Sequence, residues 1–160
     1  MRKHMSLLLA MVLLLETVAI PMAQAQQKPR PKVAVSDFVN LSGWTKYNGM
    51  TDIMRENLTT RLSQSGRIEI VERARLLEVL NEAGLSQLGI IDERTAIQIG
   101  TAVGAQALIV GNFSVLENDL QINVRMFDAN TGKVMTGEIV RSGTTPAEVY
   151  RVMDDVAKKL

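Results

Sequence analysis

The 160-residue sequence has no cysteine, and its only histidine is His4. Without thiols there is no disulfide, no thiolate nucleophile or metal ligand, and no residue to carry an N-terminal lipid thioether. His4 falls in a segment that reads as a leader, so the rest of the chain lacks an imidazole base and a histidine ligand. Ser-His-Asp, Cys-His and histidine-zinc chemistry are thereby excluded. A long apolar run is missing as well. Met5 to Leu15 is apolar but is broken at Glu16 and Pro21, short of the roughly 20 residues that a spanning helix needs. Charge of one sign is also missing. The chain has 18 Lys and Arg against 17 Asp and Glu, and setting aside Arg2, Lys3 and Glu16 leaves 16 of each. Nothing therefore drives the chain electrostatically toward nucleic acid or an anionic membrane.

What is present begins with an export signal. Arg2 and Lys3 precede the apolar run, and Ala23-Gln24-Ala25 offers the small-x-small pattern of a cleavage site. Residues 1–25 are read as a signal peptide and residues 26–31, with Pro29 and Pro31, as an extended tether. Residues 32–160 form one domain, which at 46% hydrophobic residues over the whole chain can hold itself together by burial alone.

Within that domain, Lys32 to Val39 has the strand signature, with Val33, Val35 and Phe38 as its apolar members. Met50, Ile53, Met54, Leu58 and Leu62 recur at helical spacing between Tyr47 and Ser65, with Gly66 as the stop. Arg67 to Val71 reads as a second strand. Ala74 to Ala83 reads as a helix turning Leu76, Leu77 and Leu80 inward, and a third helix is N-capped by Asp92. Ala107 to Val110 is continuously apolar, which is the pattern of a strand covered on both faces and marks the centre of the sheet. Leu120, Ile122, Val124 and Met126 alternate with polar residues, and the turn Asp128 to Gly132 leads into a strand from Lys133 to Arg141. Pro146 opens a final helix carrying Val149, Val152, Met153 and Val156. This order predicts an α/β fold with a mixed sheet of about five strands and about four helices packed on it.

No catalytic machinery is recognisable among the motifs. Gly43 and Gly49 follow the first strand, but neither a three-glycine dinucleotide turn nor a Gly-Lys-Ser/Thr phosphate cradle is there. The carboxylate pairs Glu69 with Glu72, Glu117 with Asp119, and Asp154 with Asp155 have no calcium-loop spacing and read as solvated surface. No catalytic residue, cofactor site or metal site is assigned. Trp44 and Tyr47 lie in the loop after the first strand. There they serve either as a partner's anchor or as a cover over the start of the first helix.

From Glu72-Arg73-Ala74-Arg75-Leu76-Leu77 to Ala83-Gly84-Leu85 the sequence resembles the CsgG family of curli assembly and transport components. The likeness extends to Val33 to Phe38, Ser65 to Val71, Ile99 to Gly111 and the Asp-x-x-Thr-Gly hairpin at Asp128 to Gly132. It implies a periplasmic domain fold shared with LpoB activators of penicillin-binding proteins, flagellar FlgO proteins and the N-terminal domain of TolB. Arg73, in the Glu-Arg pair, then either meets a neighbouring carboxylate or faces a protomer. Pore-forming members carry a lipidated cysteine and long spanning hairpins, whereas here Leu116 to Asp119 and Ser142 to Thr145 are short turns. The function implied is a soluble, non-catalytic periplasmic binding or assembly module that contacts other envelope proteins, with Trp44, Tyr47 and Arg73 as the candidate contact residues. The alternative is an LpoB-like regulator of a peptidoglycan synthase. Homo-oligomerisation stays open, and neither a nucleic-acid partner nor a membrane span in the mature chain is expected.

Overall fold

A computed structural model describes residues 29–85 and 91–160. The leader and the first part of the tether lie outside the described residues. The elements are β1 (Lys32–Asn40), a 3-10 turn (Thr45–Tyr47), α1 (Gly49–Gln64), β2 (Glu69–Ile70), α2 (Arg73–Glu82), α3 (Glu93–Val103), β3 (Ala107–Leu116), β4 (Asp119–Asp128), β5 (Val134–Ser142) and α4 (Pro146–Lys159). They build a five-stranded mixed sheet of order β2-β1-β3-β4-β5. β1 runs parallel to β2 and β3, while β3, β4 and β5 are antiparallel neighbours.

The two parallel crossovers step across the sheet in opposite directions, from β1 out to β2 and then back past β1 to β3. Crossovers of one hand must then place their helices on opposite faces. On face A, α1 and α4 bury Met54, Leu58, Leu62, Val149, Met153 and Val156 against Val33, Val35, Ile109, Phe113, Leu120, Ile122 and Val124. On face B, α2 and α3 bury Leu76, Val79, Leu80, Ala96 and Ile99 against Ala34, Leu108, Val110 and Phe127. The inward face of α2 therefore includes Val79, and Leu77 is only half-buried against the same cluster. β3 is the middle strand, and its residues Ala107 to Phe113 are all buried, as its continuous apolar run requires.

The apolar spacing 33, 35, 38 in β1 breaks strict alternation, and the structure shows why. The register against β3 shifts between Val35 and Phe38, and this irregularity brings Phe38 back to face A beside its two partners. Phe38 then lies across Gly111, its register partner. β2 is shorter than the predicted Arg67 to Val71, although backbone bonds from Glu69 N to Pro31 O (3.0 Å) and Val71 N to Val33 O (2.9 Å) extend its contact with β1. Asp92 caps its helix as the sequence predicts, and the structure adds a second cap at Thr145. Asp92 accepts from Thr95 N at 2.8 Å, and Thr145 with Glu148 makes a capping box ahead of Pro146.

Candidate functional site

The end of the sheet where β1 stops and β3 turns into β4 carries the candidate site. Asn40, the last residue of β1, organises the loop that follows. Its Nδ2 donates to Trp44 O (3.1 Å) and to Asn48 Oδ1 (2.9 Å), and its Oδ1 accepts from Ser42 N (3.0 Å). Leu41 N donates to Phe113 O at 2.8 Å, and Thr51 Oγ1 donates to Phe38 O at 2.9 Å. Gly43, at φ +72, makes the reversal between these anchors. The loop is thus fixed at both ends to β1, β3 and α1.

Its two aromatics separate. Tyr47 is half-buried and packs on the face A core, as a cover over the start of α1 would. Trp44 is 58% exposed. The Lys46 ammonium sits over both rings, 4.6 Å from the centroid of Trp44 and 4.7 Å from that of Tyr47, and each such contact adds about 0.5–1 kcal/mol at an exposed site. Leu41 and the last residue of β3, Leu116, are exposed at the same end of the sheet. Trp44, Leu41 and Leu116 are thus three exposed apolar side chains at this end of the sheet, the first two on a hydrogen-bonded loop. Tryptophan is the side chain that most often carries the energy of a protein contact.

Arg73 is held elsewhere. Its guanidinium takes both oxygens of Asp37, Nε to Oδ1 at 3.2 Å and Nη2 to Oδ2 at 2.9 Å. That hydrogen-bonded pairing raises the Arg73 pKa; desolvation opposes it, and the Coulomb attraction of Asp37 adds a smaller upward push. Asp37 also faces Arg55, whose Nε lies 2.8 Å from Oδ1 as an ion contact too poorly aligned for a hydrogen bond. The intramolecular pairing of Arg73 is therefore present, and its partner Asp37 joins the starts of α1 and α2 to β1. No hydrogen bond or ion pair joins this cluster to the Trp44 loop among the described residues.

The carboxylate pairs do not converge. Glu69 pairs with Lys32, Asp154 with Arg61 and Asp155 with Lys158, and among the described residues no three His, Cys, Asp or Glu side chains come together. Gly100 is a close-packing position, since a Cβ there would collide with Ala129, and Gly104 closes α3 at φ +69. No helix of the described residues is long and apolar enough to cross a membrane. The connections β3 to β4 and β5 to α4 are short turns.

A mixed sheet of order β2-β1-β3-β4-β5 with helices packed on both faces makes this a small α/β domain. The structure is similar to the LpoB C-terminal domain from Salmonella enterica, at 21% identity and TM-score 0.58, over 76% of this chain and 90% of that one. It is similar to lipoprotein GNA1162 from Neisseria meningitidis, at 14% identity and TM-score 0.59, over 81% and 99%. It also resembles part of TolB from Acinetobacter baumannii, at 13% identity and TM-score 0.51, over 81% of this chain and 27% of that one. At these identities the likeness is one of fold. The family follows from the sequence itself: residues 16–121 match the model of the curli production assembly/transport component CsgG, and the chain belongs to the CsgG family. No curated protein matches it.

Proposed function

We propose that the chain is a non-catalytic binding or assembly module of the bacterial periplasm. In this reading residues 1–25 are removed on export, residues 26–31 form a tether and residues 32–160 are the working domain. The module engages another envelope protein through the tip built from Trp44, Leu41 and Leu116. The observation that carries this reading is a solvent-facing tryptophan on a loop that Asn40 holds by four side-chain hydrogen bonds. A rigid aromatic anchor loses little conformational freedom on docking, so the ordering cost set against its contacts is small. Membership of a family of assembly and transport components supports the same reading.

Affinity capture from envelope extracts tests it, with the wild-type protein and Trp44→Ala in parallel. A secretion or surface-assembly component should be retained by the first and lost from the second. Recovery of a peptidoglycan synthase in place of such a component would favour the synthase-regulator alternative, and equal recovery by both proteins would contradict the role of the tip. Intact mass of the exported protein should show Gln26 as its first residue.

A further inference from the structure

At the end of the sheet opposite Trp44, face A opens into a cavity of about 410 Å³. Strands β1, β3 and β4 form its floor, and the C-terminal ends of α1 and α4 form its walls. This volume lies within the roughly 300–1,000 Å³ typical of small-molecule sites. The side chains around it leave the space open. Ala107 and Ala157 are small where a larger residue would close the core, while Met126 and the 57% exposed Met135 supply flexible thioethers that adapt to a guest.

The charges at the rim define the other half of the ligand. The carboxylate of Asp128 is already engaged, accepting from Asn130 N at 2.8 Å and Thr131 N at 2.9 Å. The exposed Arg67 guanidinium makes no ion pair or hydrogen bond among the described residues. An apolar volume with one uncommitted cation at its mouth is complementary to a single apolar chain that ends in an anion.

We propose that this cavity binds a single-chain anionic amphiphile of the fatty-acid type, with its chain against Met126 and Ala157 and its carboxylate at Arg67. The site is independent of the Trp44 tip. Calorimetric titration of the purified protein with dodecanoate, and with dodecanol as its neutral counterpart, tests the assignment. Dodecanoate should bind saturably, one per chain. Arg67→Gln should weaken it about three- to fivefold at low salt, as fits the loss of one exposed ion pair, and leave dodecanol unchanged. Ala157→Phe, which fills the cavity, should abolish binding of both. Methyl resonances of Ile68, Met126 and Met135 should shift in the wild-type protein, a readout that holds even where the Ala157 variant does not fold. Absence of saturable binding, equal loss of both ligands in Arg67→Gln, or shifts confined to the Trp44 end would overturn the proposal. So would a dimer that Ala157→Phe dissociates, since the occupant would then be a second copy of this chain.

Discussion

Gly111→Ala probes the closest contact in the core. Gly111 is in the middle of β3 and its register partner in β1 is Phe38, whose ring is 2% exposed. A Cβ on Gly111 would lie 2.8 Å from Phe38 Cζ and closer still to Cδ1 and Cε1, whereas carbon atoms rest at about 3.5–4.0 Å. The ring must retreat by roughly 1 Å into a core already filled by Val35, Met54 and Ile109, and overpacking of this kind costs about 1–3 kcal/mol. Replacing glycine within a strand returns about 0.5–1 kcal/mol by restricting the unfolded chain. The expected net loss is therefore centred on about 1 kcal/mol and reaches at most about 2.5 kcal/mol. Urea denaturation should show a lower midpoint with an unchanged slope. Phe38→Leu removes the obstacle, so the double variant should lose less than the two single losses added together, with a coupling of about 0.5–3 kcal/mol. Unchanged stability in Gly111→Ala, or strict additivity in the double variant, would refute the register shift that places Phe38 over Gly111.

Other expectations test the remaining layers. Leu80→Ala should cost about 2–5 kcal/mol by urea denaturation, because Leu80 is buried on face B between α2 and the sheet. Asp37→Asn should cost about 1–3 kcal/mol and Arg73→Ala no more than about 1 kcal/mol, since Arg55 is far more buried than Arg73 and loses its nearest anion; equal losses would contradict the hub role of Asp37. Stability should hold above about pH 5 and fall below about pH 4. Hydrogen bonds from Thr95 N–H to Asp92, from Thr131 and Asn130 N–H to Asp128, and from Thr145 to Glu148 hold these carboxyls below their ordinary values. Lowered folded-state values mean stability that is present above the unfolded values and is lost as pH falls through the folded ones. Asp128→Asn should flatten the acid limb of the denaturation midpoint plotted against pH.

Much of the fold is legible in local pattern. The apolar run of β3 marks a strand covered on both faces, the alternation in β4 marks one drier face, and Asp92, Thr145, Pro146 and Gly104 mark helix ends through their own backbone chemistry. The misses arise where tertiary contact overrides local spacing. The irregularity before Phe38 is set by pairing with β3, more than seventy residues away in sequence. The choice of Val79 over Leu77 depends on how α2 is rotated against α3, which Arg75 helps to fix by donating to Ala102 O at 3.3 Å. For the candidate site, the sequence places two aromatics in one loop but does not separate them. Only the seating of Tyr47 on the core and the bonds from Asn40 leave Trp44 outward. The Asp37, Arg55 and Arg73 cluster and the cavity beside Arg67 draw on segments distant in sequence, and no local pattern announces either.

In the proposed function the Trp44 end of the sheet is where the protein meets its partner. A photoreactive residue placed at position 44 in cells exporting the protein, with the same residue at the exposed position 94 on α3 as control, tests it directly. Position 44 should give a discrete covalent adduct with an envelope protein, the adduct should weaken when Leu116→Ser is added, and position 94 should give none. No adduct from position 44, or the same adducts from both positions, would contradict the account.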